Sequence, residues 1–247
     1  MRVAFPTDEH IPYHDPKARE LALKIITDFN PDLMVAGSDA VDFYAVSSFD
    51  KDPKRAFGLQ GEIDLFKKAQ REWRDAAPNA KRVYLIGNHE DRLRRYLWRH
   101  PELDSLEALE LPELLGLKEL GISYDEGIDA NLEIPIQNGL IRHGSLVRSS
   151  SAYTAKGEMD RLRYSTNLLT GHTHRGGSFY ARTRDGFVQG HECFCLCSLN
   201  PAYVQYPDWQ QGLVLVETEP FFQIEAIPFQ TIRRRKATFW RGKQYTV

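Results

Sequence analysis

Val3-Ala4-Phe5-Pro6-Thr7-Asp8-Glu9-His10 opens as a short apolar strand, Val3 to Thr7, and closes on two side chains of the kind that bind metal ions. Beyond it, Ala18, Leu21, Ala22, Ile25, Ile26 and Phe29 recur at the three-and-four spacing of one helix face, and Asn30-Pro31 stops that helix. Leu33 to Ala36 is a second buried strand, and it runs into Ser38-Asp39-Ala40-Val41-Asp42. Strand, helix and strand in this order make a βαβ unit, which implies a parallel pair of strands. A second long helix is predicted from Ile63, Phe66, Ala69, Trp73 and Ala77, ending at Pro78-Asn79. The strand Val83 to Ile86 then delivers Gly87-Asn88-His89-Glu90.

From Asp91 to Leu117 the pattern is helical and rich in leucine and arginine, with Pro101 and Pro112 as breaks, and reads as a helical insertion beside the site. Leu132 to Arg142 is a hairpin turning at Asn138-Gly139, a strong turn dipeptide. Its second arm leads to His143-Gly144. A helix around Ala155 to Arg163 precedes the strand Asn167 to Thr170 and Gly171-His172-Thr173-His174. The remainder is strand-rich: Ser178 to Arg182 turning at Asp185-Gly186, then Cys193 to Leu199, Leu213 to Glu217 and Phe221 to Ile227. The elements make an α/β protein of two sheets with flanking helices, and residues 1–247 read as one domain without a linker or internal repeat.

Five blocks thus place metal-binding side chains just past apolar runs. In an open α/β sheet, loops at the carboxyl ends of the strands share one crevice, so residues distant in sequence converge there. Singly, each buried His or Asp reads as a satisfied structural group; five in this arrangement read as one site.

In order and wording these blocks resemble the signature of the calcineurin-like metallophosphoesterases: DxH, GDxxD, GNH[ED], a lone His and GHxH. The resemblance spans the chain and implies a four-layer αββα sandwich of two mixed sheets. It also implies two divalent transition-metal ions, manganese foremost, with iron, zinc or nickel as alternatives. One would be held by Asp8, His10, Asp39 and His174; the other by Asp39, Asn88, His143 and His172, with Asp39 as the bridge. His89 resembles the family's histidine that faces the substrate and stabilises the transition state or protonates the leaving oxygen. A hydroxide bridging the metals would attack phosphorus. With Asp8 and Asp39 as the only carboxylates, two divalent ions and a hydroxide leave a net charge of about +1 to attract phosphate. Where the family has Gly before the bridging Asp, this chain has Ser38, whose Cβ is expected to shift that carboxylate.

Other candidates keep two readings each. Asp42 either orients a ligand or begins a helix, and His14 either faces the substrate or serves a local hydrogen bond. Arg148 and Arg175 either reach a substrate phosphate or are surface charges. Glu90 and Asp91 are assigned to the start of the next helix, where acids favour the positive end of the dipole. His100 and His191 lack motif context and are taken as ordinary.

The DxH form of the first block favours phosphodiesters, in nucleotides or nucleic acid. The alternatives are a phosphomonoesterase, a protein phosphatase or a non-catalytic metal-binding interaction module; Phe43-Tyr44 after Asp42 counts against a protein phosphatase. Thr170 to Ser178, with Cys195-Leu196-Cys197 and Trp209-Gln210-Gln211-Gly212, resembles phage- or prophage-encoded members of the family.

Of the 247 residues, 42% are hydrophobic and 27% charged, the balance of a soluble globular protein. No apolar run is long enough for a membrane span, and Met1 to Phe5 enters a strand without the features of a signal peptide. A cytoplasmic location is therefore expected, the host cytoplasm if the chain is phage-encoded. A formal net charge of −2 provides no global field toward nucleic acid or membrane. The basic run Arg233-Arg234-Arg235-Lys236 reads as a solvated tail, with contact to a nucleic-acid backbone as the alternative. Cys193, Cys195 and Cys197 would share one face of an extended strand as buried, reduced thiols.

Overall fold

The computed structural model describes residues 1–55, 57–125, 132–201 and 204–247. Along the chain run β1 (Arg2–Phe5), α1 (Pro16–Phe29), β2 (Leu33–Gly37), α2 (Leu59–Ala76), β3 (Lys81–Leu85) and α3 (Asp91–Arg99). They are followed by α4 (Pro101–Asp104), α5 (Leu111–Leu115), β4 (Ile122–Ser123), β5 (Glu133–Ile136), β6 (Gly139–Arg142), α6 (Tyr153–Arg161) and β7 (Asn167–Thr170). The last part is all strand: β8 (Gly176–Thr183), β9 (Gly186–Cys193), β10 (Gly212–Glu217), β11 (Gln223–Pro228), β12 (Gln230–Ile232), β13 (Arg235–Trp240) and β14 (Lys243–Thr246).

A six-stranded sheet has the order β11-β10-β1-β2-β3-β4, with β1 to β4 parallel and β10 and β11 antiparallel at one edge. A five-stranded sheet has the order β5-β6-β7-β9-β8, parallel through β6, β7 and β9. Both are mixed, as expected. Their facing sides share one core, in which Val3, Phe5, Val35 and Leu85 of the first sheet pack with Ile141, Leu169 and Cys193 of the second.

Helices cover the outer faces. Leu21, Ile25 and Phe29 of α1 and Trp73 of α2 bury against Ala4, Met34 and Leu215, while Phe66 of α2 and Leu93 of α3 pack near Ala36 and Tyr84. On the other sheet, α6 is seated so closely that a Cβ on Gly190 would run into Met159. The layers are therefore helix, sheet, sheet, helix. α1 starts where its sequence can satisfy free amides: Asp15 accepts from the Lys17 and Ala18 N–H groups at 2.9 and 3.0 Å, with Pro16 in the first turn. It ends at Asn30 in the left-handed region, ahead of Pro31.

Three expectations need correction. The basic run near the C-terminus is no loose tail. Arg233 and Arg234 form the turn between β12 and β13, and Lys236 is buried, 3.3 Å from Asp15 Oδ2 and bonded to Gln211. The cysteine segment is not one continuous strand, because Phe194 adopts φ 65° directly after β9. All three thiols are nevertheless free and buried. Pro101 and Pro112 open α4 and α5 rather than break helices, since a missing N–H costs nothing in a first turn.

β1, β2, β3, β6 and β7 all end at the same edge of the sandwich, each within a few residues of a motif block. The sheet order sets β1, β2 and β3 side by side in one sheet and β6 and β7 side by side in the other. That arrangement fixes where the site must be.

Candidate metal centre

The five blocks meet in one buried cluster with two lobes. In the first, His10 Nε2 and His174 Nε2 are 2.9 Å apart, and Asp8 Oδ1 lies 3.2 Å from His174 Nε2 and 3.8 Å from His10 Nε2. In the second, His143 Nε2 lies 2.9 Å from Asn88 Oδ1 and 3.1 Å from His172 Nδ1. Asp39 Oδ2 joins them, 3.3 Å from His143 Nε2 and 3.9 Å from His10 Nε2. Asp8, His10 and Asp39 form one group that could hold an ion, and Asp39, His143 and His172 form another. Asn88 is the exposed member and opens the cluster to solvent; Asp8, His10, Asp39, His143 and His174 are buried.

The backbone bends sharply to bring these side chains inward. Asp8, His10, Asp39, His172 and His174 have φ of 54°, 50°, 60°, 72° and 58°. Each such residue costs about 1–2 kcal/mol in a non-glycine, and clustered strain of this kind marks functional sites. The motif glycines answer to crowding. A Cβ on Gly171 would sit 2.5 Å from Thr7 Oγ1 and 2.6 Å from Asp8 Oδ2, and one on Gly87 would collide with Asp39 Oδ1.

Around the lobes, second partners fix which ring nitrogen faces inward. His10 Nδ1 is 3.3 Å from Asp42 Oδ2, so the neutral ring, as a metal ligand requires it, keeps its proton there and turns the Nε2 lone pair toward Asp8 and Asp39. Asp42 thus lies in the orienting position. His143 Nδ1 is 2.9 Å from Ser38 Oγ, Ser38 Oγ is 2.7 Å from Thr7 Oγ1, and the Thr7 hydroxyl donates to Asp8 Oδ2 at 2.7 Å. With Thr7 donating to Asp8, Ser38 donates to Thr7 and accepts from His143 Nδ1. This polar chain links the two lobes. Ser38 itself has φ 58°, so the chain accepts the conformation that glycine would ease and uses the hydroxyl. His174 Nδ1 faces Cys197 Sγ at 3.7 Å, and its ring packs edge-on against Trp209 with centroids 4.2 Å apart.

Glu90 departs from its expected role. Asp91 begins α3 and pairs with Arg94 and Arg95, but the Glu90 carboxylate turns into the loop after β2. It accepts from the Asp39 and Ala40 N–H groups of that loop at 3.0 and 2.9 Å, from the Gly87 N–H after β3 at 2.8 Å and from Tyr84 Oη–H on β3 at 3.2 Å. It is a clamp on the backbone that carries Asp39. Burial, then the charge of Asp39, lifts its carboxyl to about 7.

His89 stands at the rim, with Nε2 3.7 Å from Asp39 Oδ2, and its backbone N–H donates to Asp39 Oδ1 at 2.8 Å. Arg92, which sequence reasoning did not single out, lies 2.8 Å from His89 Nε2 through Nη2 and pairs with Asp42 Oδ1 through Nη1 at 3.0 Å. His14 lines a cavity of about 300 Å³ together with His10, Tyr13, Asp42 and Trp209, and its Nδ1 has no partner among the described residues. Arg148 and Arg175 are not brought to the cluster. Arg175 is buried, donating to Arg148 O at 2.6 Å and lying 3.6 Å from Glu192 Oε2, while Arg148 is exposed along Gly157 of α6.

Electrostatics favour a cation here. Burial would raise the Asp8 carboxyl, but hydrogen bonds to His10 and His174 hold it well below the usual carboxylate range. Asp39 is also held down, against burial, by the charges of His143 and His89, and Asp42 by its bonds to His10 and His89. Burial pushes His10 down, yet Asp42, Asp8 and Asp39 carry it up to about 10. His143 is carried to about 9, chiefly by Asp39. Burial lowers His89, His172 and His174. The carboxylates are therefore ionised, and His10 and His143 hold protons that a bound cation would displace. Imidazole and amide lone pairs 2.9–3.3 Å from one another or from a carboxylate repel unless a proton or a metal ion lies between them.

The protein is thus a mixed α/β sandwich with groups of residues suited to metal binding at the shared strand edge. No family model and no curated protein matches the chain. Among solved structures, Vps29 from Chaetomium thermophilum aligns with 100% of this chain and 93% of its own, at 11% identity and a TM-score of 0.49. Wild-type Vps29 from Entamoeba histolytica, complexed with zinc, aligns with 100% of this chain and 97% of its own, at 11% identity and a TM-score of 0.42. A single mutant of the same Entamoeba protein covers 100% and 98%, at 14% identity and 0.42. Among the described residues no helix is long and apolar enough to cross a membrane.

Proposed function

We propose that this chain is a binuclear metal-dependent phosphoesterase that hydrolyses phosphodiesters, in nucleotides or nucleic acid. The observation that carries this reading is the position of Asp39 Oδ2 between His143 Nε2 at 3.3 Å and His10 Nε2 at 3.9 Å, one carboxylate shared by two ligand sets. Asp8, His10, His174 and Asp39 would hold one ion; Asp39, Asn88, His143 and His172 would hold the other. Two divalent ions about 3.5–4 Å apart supply positive charge for the phosphoryl oxygens and a water that loses its proton near neutral pH. Manganese, iron, zinc and nickel all suit this mixture of imidazole, carboxylate and amide oxygen.

The chain's own residues do the rest. Asn88 brings no charge, so Asp8 and Asp39 leave the site a positive surplus that draws a phosphate to the open side. Arg92 Nη2 donates to His89 Nε2 across 2.8 Å, so an ester oxygen entering beside them would take over that donor and meet both groups. Arg92 would hold the negative oxygen, and His89, freed at Nε2 and protonated there from solvent, would deliver that proton to the departing oxygen. Asp42 keeps His89 in place, with Oδ2 3.4 Å from its Nδ1.

The test is Mn²⁺-dependent hydrolysis of bis-p-nitrophenyl phosphate, beside the monoester and a chelated control. Chelator-sensitive turnover of the diester above the monoester supports the reading. Absence of turnover with metals bound overturns it in favour of a non-catalytic interaction module.

A further inference from the structure

On the exposed side of Asn88 a groove of about 250 Å³ runs between the loop after β2 and α3, lined by Ser47, Ser48, Phe49, Asn88, Arg92, Arg95 and Arg99 among others. The three arginines fall at i, i+3 and i+7 of α3 and so share one face, spread over about 10 Å of helix. Arg92 starts this row beside His89. Arg95 and Arg99 are exposed; Arg95 uses Nε for Asp91 Oδ2, and Arg99 Nε donates to Arg95 O at 3.1 Å. Among the described residues no carboxylate lies within ion-pair distance of Arg99. Lys51 adds charge behind the opposite wall, where Nζ donates to Ser47 O at 2.7 Å.

At the mouth of this groove Phe49 is 67% exposed, and the Arg92 guanidinium lies 5.8 Å from its ring centre. An exposed aromatic beside a line of arginines is the combination that binds single-stranded nucleic acid: bases stack on the ring while cations follow the phosphates. A single phosphate at the metal centre requires only the nearest arginine. Arg95 and Arg99 follow about 4.5 and 10 Å farther along the helix, where the successive phosphates of one strand can meet them.

We infer that the substrate is single-stranded nucleic acid. One linkage lies at the Asp39-bridged cluster, the phosphates to one side lie along Arg92, Arg95 and Arg99, and a base stacks on Phe49. The inference rests on the phosphodiesterase reading and narrows its substrate. The negative overall charge is no obstacle, because the field that matters is local.

The test compares wild type with the double variant R95A/R99A, which changes two exposed side chains and leaves the helix packing alone. Three readouts are needed: hydrolysis of bis-p-nitrophenyl phosphate, hydrolysis of a short oligodeoxynucleotide against a dinucleotide, and fluorescence anisotropy of the labelled oligonucleotide across a salt series. The expected result is that wild type cleaves the oligonucleotide with higher kcat/KM than the dinucleotide. The double variant should weaken oligonucleotide binding by about tenfold or more and lower the slope of log K against log salt by about 1.4, two single-strand contacts at about 0.7 each. F49A should weaken binding without changing that slope. Equal kcat/KM for the two lengths, or oligonucleotide binding that R95A/R99A leaves unchanged, overturns the inference. Loss of bis-p-nitrophenyl phosphate turnover in wild type overturns the catalytic reading instead, and the anisotropy series still decides the binding path.

Discussion

Ser38 Oγ lies 2.9 Å from His143 Nδ1 and at the same time 2.7 Å from Thr7 Oγ1, which donates to Asp8. A residue that reads in sequence as a defect in a glycine position is therefore the centre of the chain that sets the ring of one ligand and reaches the carboxylate of another. Its hydroxyl holds the His143 tautomer that points Nε2 at Asp39 and Asn88.

That geometry separates Ser38 from the glycine it replaces. S38G should relieve the strain of φ 58° and raise thermal stability slightly, while S38G and S38A both weaken metal binding by about 10–100-fold through the loss of the hydroxyl. Calorimetric titration with Mn²⁺, beside thermal unfolding without metal, checks both parts. Unchanged metal affinity in S38G would show that the Thr7–Ser38–His143 chain does not orient the ligand.

Glu90 accepts from four buried backbone amides, those of Asp39, Ala40 and Val41 after β2 and of Gly87 after β3, and from the Tyr84 phenol. E90A leaves these donors without a partner, at about 1–3 kcal/mol for each that water cannot reach. The expected outcome is a destabilisation of about 3 kcal/mol or more in denaturant unfolding, with metal binding lost through the displaced Asp39. E90Q keeps one acceptor oxygen and should fall between E90A and wild type.

What could be read in advance follows from how local each signal is. Asp8, His10, Asp39, Asn88, His143, His172 and His174 each stand a few residues past an apolar run, so strand ends and candidate ligands were legible together. Glu90 was not, because its partners Asp39 and Ala40 lie 51 and 50 residues away and only the folded path of the loop brings them near. Arg92 was hidden in an arginine-rich helix, where neighbours look alike until one of them meets His89. Arg148 and Arg175 misled for the converse reason: closeness in sequence to a ligand says nothing about which way a long side chain turns. The small sheet of β12, β13 and β14 escaped because Gln230 to Ile232 are all exposed and its turn is a run of arginines, which removes the alternation a half-buried strand shows.

His89 offers a test of chemistry separate from metal binding. Its ring is outside the two ligand sets, though its backbone N–H holds Asp39 Oδ1 at 2.8 Å, a contact any side chain preserves. H89A should therefore retain both ions and lower kcat by about 10²-fold or more, the usual worth of a placed general acid. R92A should raise KM as well, since it removes the cation beside the entering phosphate and frees Asp42. Metal content by elemental analysis, with kcat and KM for bis-p-nitrophenyl phosphate, distinguishes these outcomes. An H89A enzyme with unaltered turnover would remove that histidine from the mechanism.

His191, on β9 away from the cluster, gives a pH dependence that the metal centre does not set. It is buried, with Nδ1 3.0 Å from Ser178 Oγ and Nε2 3.3 Å from Gln189 Oε1, and burial pushes its imidazole down to about 4 from an ordinary value of 6.5. Because the folded value lies below the unfolded one, the unfolded chain binds the proton first. Stability is therefore full above pH 6.5 and is lost as pH falls toward 4, by about 3 kcal/mol across a window of about 2.5 pH units. H191Q retains a hydrogen-bonding side chain without the titration. Denaturant unfolding of both proteins without added metal should show the gap between them at pH 7 shrinking, or reversing, at pH 5. A constant difference across that range would mean that His191 takes up its proton in the folded state as readily as in the unfolded chain.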